Sequence, residues 1–237
     1  MALLLASAIT AVATELPDDF VYLSDVCPSI IQSVRYATNE NFVGNVVDGY
    51  EAPKIIVKRK TAEGLKKAQK IFLKKGYSLV VYDGYRPQRA VDHFVRWAKN
   101  GDFSTKEKYY PTKEKADLFK GYISTRSVHC SGYAVDLTII KQGHKLLNPV
   151  TVKERRLLNG DMVNFVDDGT VDMGVGFDFL HEASWADADC ISEECRKNRQ
   201  ILKNVMLRCG FKPYANEWWH FELKDQNSTK SYDFAIR

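Results

Sequence analysis

The chain has 237 residues, of which 45% are hydrophobic and 12% aromatic, which is enough for one sizeable core. Its 34 basic and 30 acidic residues leave a net charge of +4, too small and too scattered to indicate a nucleic-acid partner. The densest basic stretches, residues 58–60 and 65–76, are typical of a solvated helix face. Composition therefore favours a single domain that does not bind nucleic acid.

The first 13 residues predict a secretory signal peptide. An apolar run from Ala2 to Ala13 ends in a small-x-small cleavage pattern and is too short to span a bilayer. No Lys or Arg precedes it, which leaves an uncleaved anchor or an upstream start open. We expect export to the periplasm or beyond, and a cytoplasmic protein if residues 1–13 are not a functional signal. No other segment is apolar enough to cross a membrane.

The first predicted helix and strand follow a mixed N-terminal region. Thr61 can cap a helix that runs to about Lys75 and stops at Gly76. Its apolar residues fall on one stripe: Ala62, Leu65, Ala68 and Phe72. The β-rich stretch 77–83, "YSLVVYD", predicts a short buried strand.

The middle of the chain combines regular elements with two irregular regions. Pro87 opens a helix through Ala98, and its core-facing residues are Ala90, Val91, Phe94, Val95 and Ala98. The polar and aromatic stretch 99–126 predicts irregular structure, and 133–140 predicts a strand. Residues 141–171, rich in Lys, Asn, Asp and Gly, indicate an inserted loop or lid.

One more helix and strand complete the chain. Ser192 caps a predicted helix through Cys209, with a stripe formed by Ile201, Leu202, Val205 and Met206. The stretch 217–223, "EWWHFEL", predicts the last strand. Helices and strands follow each other unevenly, without β-α-β alternation. The sequence therefore predicts an α+β domain over residues 14–237, with a central antiparallel sheet flanked by helices.

Five cysteines allow some disulfide pairing in an exported protein and leave at least one thiol free. Cys190 and Cys195 are the closest candidates for a pair. Because there is no C-x-x-C pair, zinc binding by cysteines is disfavoured. Cys130 and Cys209 are typical of small buried hydrophobic residues.

Two of the five histidines lie in contexts that suit metal chemistry. His93 lies on or beside a helix stripe, His144 lies in the polar insertion, and His181 lies in a loop without an H-E-x-x-H pattern. His129 lies in the loop-like stretch before a strand. His220 lies inside the last strand between aromatic residues, where a neutral imidazole needs a partner.

Asp136 is an acid inside an apolar strand, seven residues after His129. A buried carboxylate is costly unless it is paired, hydrogen-bonded or on a metal, so Asp136 either caps a turn, pairs with an arginine or binds a metal ion. With His129 and His220 it makes a donor set that suits catalytic Zn²⁺ with a position open for water. Glu217, near His220, could take a proton from such a water.

These stretches resemble the VanX-type D-alanyl-D-alanine dipeptidases, within the wider group of zinc D-Ala-D-Ala peptidases and hedgehog-like domains. "SVHCSGYAVD" and "EWWH" are similar to the zinc signature, and "VVYDGYRPQRAVD", "GFDF" and "YATNENFVG" are similar to further family motifs. The similarity extends from about residue 18 to 235. It implies a hedgehog/DD-peptidase-like zinc fold, one Zn²⁺ per chain and hydrolysis of D-Ala-D-Ala to free D-alanine in cell-wall peptide metabolism.

The resemblance also implies a role for each residue that matches a motif. His129, Asp136 and His220 would bind zinc, and Glu217 would be the general base. Arg86, in the G-Y-R-P turn, would stabilise the developing oxyanion, because a fixed guanidinium beside the metal suits that charge.

Two further matches leave alternatives open. Asp178 would bind the free amino group of the substrate, or it caps a helix or turn. Ser127 would help to hold the substrate, or it serves as a turn hydroxyl. The stretch between Asp136 and Asp178 is longer than in compact family members, so residues 141–171 would form a lid that narrows substrate choice or a surface decoration.

Two rival functions remain at this stage. A D,D- or L,D-carboxypeptidase on the same fold would trim peptidoglycan stem peptides, and it would need an open groove in place of a closed pocket at Asp178. A non-catalytic, zinc-stabilised binding domain would have no need of a base and an oxyanion-stabilising cation. The presence of both Glu217 and Arg86 argues against it.

Overall fold

The computed structural model describes residues 16–17, 19–224, 226 and 230–237, so the predicted signal segment lies outside the described residues. In chain order the strands are β1 (Phe20–Tyr22), β2 (Ile31–Gln32), β3 (Ile56–Lys58), β4 (Tyr77–Asp83), β5 (Ala134–Lys141), β6 (Thr151–Arg156), β7 (Met162–Asp167), β8 (Phe211–Tyr214) and β9 (Glu217–Leu223). The α-helices are α1 (Leu23–Val26), α2 (Arg59–Lys74), α3 (Gln88–Ala98), α4 (Lys106–Tyr109) and α5 (Glu193–Arg208).

A five-stranded sheet in the order β2-β4-β5-β9-β8 forms the centre of the domain. Its strands pair antiparallel except for the short edge strand β2, which is parallel to β4. The predicted α+β class and antiparallel sheet are therefore confirmed, with one parallel edge. The register places Asp83 opposite Asp136, and Asp136 opposite His220. Three polar side chains thus lie in a row across the middle of an apolar sheet.

Helix α2 confirms the predicted apolar stripe but not the predicted cap. Ala62, Leu65, Ala68 and Phe72 are fully buried. The helix begins at Arg59, two residues before Thr61, and Lys58 precedes it without a side-chain cap. Thr61 is buried, and its hydroxyl donates a hydrogen bond to the carbonyl oxygen of Gly132. The cap prediction was wrong because this hydroxyl has a tertiary partner that local sequence does not show.

Helices α3 and α5 lie where the sequence predicted them. Ser192 accepts a hydrogen bond from the backbone N–H of Cys195, so its capping role is confirmed. Within α3, Trp97 is buried and Val95 is only half-buried, which corrects the predicted core face. The ring of Trp97 packs edge-on against Phe42 and Tyr110, which are contacts that the sequence of α3 alone does not show.

The insertion 141–171 contains a β-hairpin, in which β6 pairs antiparallel with β7. Most side chains of β6 are exposed. Asp168, directly after β7, accepts hydrogen bonds from Arg35 and from the Tyr82 hydroxyl, both at 2.6 Å. The hairpin is therefore fixed at its base and solvated along β6, where a loop was predicted.

The remaining predictions concern cysteines, histidines and membrane spans. All five cysteines lie in the described part of the chain and are free thiols, so Cys190 and Cys195 form no disulfide. His144 is exposed, as expected. His93 and His181 accept backbone hydrogen bonds from Asp48 and Ala183, which makes both structural. Among the described residues, no helix has the length and apolarity needed to span a bilayer.

Candidate metal centre and substrate cavity

The register of the central sheet brings Asp136 and His220 together. The two residues face each other across β5 and β9, and both are buried. His220 Nδ1 lies 3.1 Å from Asp136 Oδ1. A histidine and a carboxylate on neighbouring strands are thereby presented on the same face of the sheet.

His129 reaches the same point from a short 3₁₀ turn just before β5. Ser127 stabilises this turn by accepting a hydrogen bond from the backbone N–H of His129 at 3.3 Å. The turn ends at Gly132, whose φ of +79° and contact with the Phe20 ring leave no room for a side chain. The imidazole is oriented because its Nδ1 donates to the carbonyl oxygen of Gly84 at 2.7 Å.

The three side chains form a compact donor cluster. With Nδ1 of His129 occupied, its Nε2 lies 3.3 Å from Asp136 Oδ1 and 3.1 Å from His220 Nδ1. One ligand atom from each residue lies within 4.8 Å of the others. Two imidazole nitrogens and one carboxylate are a donor set of catalytic zinc centres. Glu222 lies 3.5 Å from the other ring nitrogen of His220, in the position of an orienting carboxylate.

Glu217 lies beside this cluster and is largely buried. Its Oε2 is 3.7 Å from His220 Nδ1. Strand alternation alone would put these two side chains on opposite faces, but the β8–β9 pairing shifts register between Pro213 and Tyr214. Both side chains therefore line the same cavity. Burial raises the pKa of Glu217 to about 7, which suits a group that must both take and give a proton.

Arg86 is fixed on the other side of the cluster, after the end of β4. Its Nε donates to Asp83 Oδ2 at 2.9 Å, and its Nη2 donates to Asp136 Oδ2 at 3.2 Å. Asp83 is itself held by the Tyr50 hydroxyl at 2.7 Å. The guanidinium is thus a positive charge immobilised next to the donor cluster.

Asp178 is also buried, but it is only half paired. The Tyr36 hydroxyl donates to its Oδ1 at 3.1 Å, while its Oδ2 has no hydrogen-bond partner in the described structure. Burial, followed by the negative charge of Asp136, raises the pKa of Asp178 well above its usual value. Its backbone has a φ of 60°, a conformation that non-glycine residues rarely adopt. A turn cap would not require this burial, so the geometry favours the ligand-binding alternative.

All seven residues singled out from the sequence line one cavity of about 530 Å³: Arg86, Ser127, His129, Asp136, Asp178, Glu217 and His220. This size lies within the range of small-molecule sites. Residues 119 and 121–128 form much of one wall, and Trp219 contributes to another. No residue of the insertion 141–171 is among the described residues that line the cavity, so the hairpin contributes nothing to the described cavity walls.

Three supporting residues were missed at the sequence level. Tyr36 and Asp83 lie within motifs already noted. The contact of Tyr36 with Asp178 joins residues 142 positions apart, whereas Asp83 lies only three residues before its partner Arg86 and could have been found from the motif itself. Glu222 could have been found, because strand alternation places it on the same face as His220.

One cavity contains a buried cluster of metal-binding donors, a carboxylate with a near-neutral pKa and an immobilised guanidinium. This combination is typical of the active site of a metallopeptidase. The family model described as D-Ala-D-Ala dipeptidase matches residues 17–151 and 163–236. The chain therefore belongs to the D-Ala-D-Ala dipeptidase family of peptidases, which confirms the resemblance seen in its motifs. The unmatched residues 152–162 include most of β6 and the hairpin turn.

Curated relatives cover the same length. The D-alanyl-D-alanine dipeptidase of Enterococcus faecium is 36% identical over 221 residues, which is 92% of this chain and 98% of the relative. Those of Enterococcus faecalis and Streptomyces coelicolor are 37% and 35% identical, with the same shares of each chain covered. The similarity thus spans nearly the full length of each relative.

Proposed function

We propose that this protein hydrolyses the dipeptide D-Ala-D-Ala to free D-alanine with one Zn²⁺ per chain, as a step in cell-wall peptide metabolism. The observation that carries the proposal is a single cavity lined by a metal-binding cluster and by a buried, half-paired carboxylate. A metal ion held by the cluster can activate water and a peptide carbonyl. The buried carboxylate can recognise the amino end of a short substrate.

His129, Asp136 and His220 would hold the zinc ion. Their ligand atoms already converge, and Gly84 and Glu222 orient the two imidazoles. When bound, Zn²⁺ supplies Lewis acidity towards the peptide carbonyl and lowers the pKa of water. The protein contributes a rigid, buried donor set, so little reorganisation is needed when the ion binds.

Glu217 acts as the general base in this proposal. Its carboxylate takes a proton from the attacking water and then delivers it to the leaving amine. A pKa of about 7 suits both transfers, because the group is then neither too weak a base nor too weak an acid. Because Glu217 lines the same cavity as the donor cluster, with its Oε2 3.7 Å from His220 Nδ1, it would be close to a water bound there.

Arg86 stabilises the negative oxygen that develops on the scissile carbonyl. Asp83 and Asp136 hold the guanidinium in place before the substrate arrives, so its orientation is set in advance. A preorganised positive charge in a site shielded from water lowers the transition-state energy more than the same charge in solvent.

Asp178 binds the substrate's free ammonium group. An ammonium would give the unpaired Oδ2 a partner and would offset the cost of ionising a buried carboxyl. Because Asp178 is buried and backed by Tyr36, this end would leave little room for a longer peptide. A dipeptide therefore fits better than a peptidoglycan stem. Ser127 stabilises the turn of His129 and also lines the cavity, where its hydroxyl would contact the substrate.

Export is part of the proposal and rests on the sequence of residues 1–13 alone. An exported dipeptidase would meet wall fragments outside the cytoplasmic membrane. Fractionation of producing cells, with N-terminal sequencing of the mature protein, tests this point. A protein retained in the cytoplasm with residues 1–13 intact would contradict it.

Alanine release by the purified protein lacking residues 1–13 tests the function. The substrates are D-Ala-D-Ala, L-Ala-L-Ala and a pentapeptide ending in D-Ala-D-Ala, each with and without a chelator. Chelator-sensitive cleavage of D-Ala-D-Ala alone is expected. Cleavage of the pentapeptide would indicate a carboxypeptidase, and no cleavage of any of the three by the zinc-bound protein would contradict the proposal.

A further inference from the structure

The cavity offers one more charged side chain that the roles above leave unused. A dipeptide is a zwitterion, with a carboxylate at the end opposite its ammonium group. Among the described residues that line the cavity, two carry a guanidinium, Arg86 and Arg126, whereas four carry a carboxylate: Asp136, Asp178, Glu217 and Glu222. The carboxylate end of the substrate favours a positively charged partner, so the two arginines are the candidates to attract it.

Arg86 is already engaged within the protein. Its two ion pairs, with Asp83 and Asp136, are at 2.9 and 3.2 Å, and its side chain is largely buried. These contacts place the guanidinium next to the donor cluster. Its charge is directed at the reaction centre and is largely offset by two buried carboxylates.

Arg126 differs from Arg86 in both its burial and its ion pairing. It is exposed and lies in the wall segment 121–128, three residues before His129. Its backbone N–H donates to Ser124 Oγ at 3.2 Å, which leaves the guanidinium out of this hydrogen bond. Within the described part of the chain, no carboxylate forms an ion pair with its guanidinium. Arg126 therefore brings an uncompensated positive charge to the cavity.

We propose that Arg126 binds the C-terminal carboxylate of the dipeptide, opposite the ammonium site at Asp178. This inference rests on the proposed function and extends it. A planar guanidinium can accept a carboxylate through two parallel hydrogen bonds. Recognition of both charged ends would make the site selective for dipeptides with a free amino group and a free carboxyl group.

The test compares D-Ala-D-Ala with its C-terminal amide, which lacks the negative charge. For Arg126→Gln we expect the KM for the free dipeptide to rise roughly 10-fold, as for loss of a hydrogen bond to a charged group. We expect kcat and zinc content to stay unchanged and the kinetics with the amide to be unaffected. Arg126→Lys should recover part of the lost affinity.

Arg208→Gln is the matched control, because Arg208 is an exposed arginine in α5 that does not line the cavity. An unchanged KM for the free dipeptide in Arg126→Gln would overturn the inference, as would an equal loss with dipeptide and amide. Absence of turnover in the unaltered protein would instead reject the proposed function. As a second readout on the unaltered protein, preference for the dipeptide over the amide should decline at high salt.

Discussion

Two buried aspartates on the same cavity differ in how the protein satisfies them. Asp136 is 2% exposed, and both of its oxygens have partners: Oδ1 lies near His129 and His220, and Oδ2 accepts from Arg86. Asp178 is 4% exposed, yet only its Oδ1 is hydrogen-bonded, by Tyr36. The protein thus supplies partners for both oxygens of Asp136, whereas Oδ2 of Asp178 is left for a partner from outside the described structure.

The pKa values of the two groups follow this difference. Burial alone would raise both, but at Asp136 the charge and hydrogen bond of His129 and the hydrogen bond of His220 outweigh it, so its pKa lies below the usual range. At Asp178 burial and the neighbouring negative charge leave the pKa well above that range. The proposed metal end is therefore preorganised by the fold, whereas the proposed amino end is stabilised only when a cation binds.

The largest expected effect is at the metal end. His129→Ala removes a proposed ligand that hydrogen bonds with Ser127 and Gly84 hold in place, so we expect loss of bound zinc and of dipeptide turnover. Metal analysis of the purified variant, with His144→Ala as the exposed control, checks this. A His129→Ala protein that retains one zinc ion per chain would contradict the ligand assignment.

Loss of the base should separate chemistry from metal binding. Glu217→Gln keeps the shape of the side chain but removes its ability to take a proton. We expect kcat to fall by about 10²- to 10⁴-fold, the usual contribution of a positioned general base, with zinc content unchanged. Glu154→Gln, in the exposed strand β6, is the matched control. Near-normal kcat in Glu217→Gln would exclude the proposed base.

At the amino end, Asp178→Asn should affect substrate affinity and spare the fold. We expect KM to rise roughly 10- to 100-fold, as for loss of a hydrogen bond between charged groups. The melting temperature should stay equal or rise, because a buried group that is costly to ionise is replaced by one that cannot ionise. Steady-state kinetics and thermal melting, with the exposed Asp25→Asn as control, measure both. A lower melting temperature with an unchanged KM would show a purely structural role.

Asp178 should also make binding depend on pH. Because its pKa is raised in the free protein, the group is protonated and uncharged over a wider range than an ordinary aspartate. It becomes able to pair with an ammonium as the pH rises, so dipeptide affinity should increase with pH until the substrate amine itself loses its proton. Titration of the inhibition constant of a non-hydrolysable dipeptide analogue checks this. The same pH profile in Asp178→Asn would assign the dependence to another group.

The smallest effect is expected from the hairpin. Replacing residues 152–162 by a short turn removes the part that the family model does not match, and none of it lines the cavity. Asp168, which fixes the base of the hairpin, is kept. We expect kcat/KM for D-Ala-D-Ala to stay within about twofold, a difference in free energy below 1 kcal/mol. A tenfold change would show that the hairpin acts on the site.

The sequence predicted the elements that local pattern determines. The apolar stripes of α2 and α5, the buried strands and the Ser192 cap were all confirmed, because periodicity and cap chemistry are local signals. The cluster residues were also predicted, because a buried acid or histidine in an apolar strand requires a partner.

The rest depends on contacts between distant parts of the chain. Thr61 was misread as a cap because its partner Gly132 is 71 residues away. The shared cavity of Glu217 and His220 depends on a register shift in the sheet, and the pairing of Asp178 depends on Tyr36, 142 residues earlier. The spacing of residues along the chain does not predict these contacts.

The central claim is that the substrate's ammonium group pairs with the free carboxylate oxygen of Asp178. Comparison of D-Ala-D-Ala with N-acetyl-D-Ala-D-Ala, using the zinc-loaded protein, tests it most directly, because acetylation removes the positive charge and leaves the scissile bond intact. The account predicts rapid cleavage of the free dipeptide and at least roughly 100-fold lower kcat/KM for the acetylated one, since a buried carboxylate would then lack its partner. Equal cleavage of the two would contradict it.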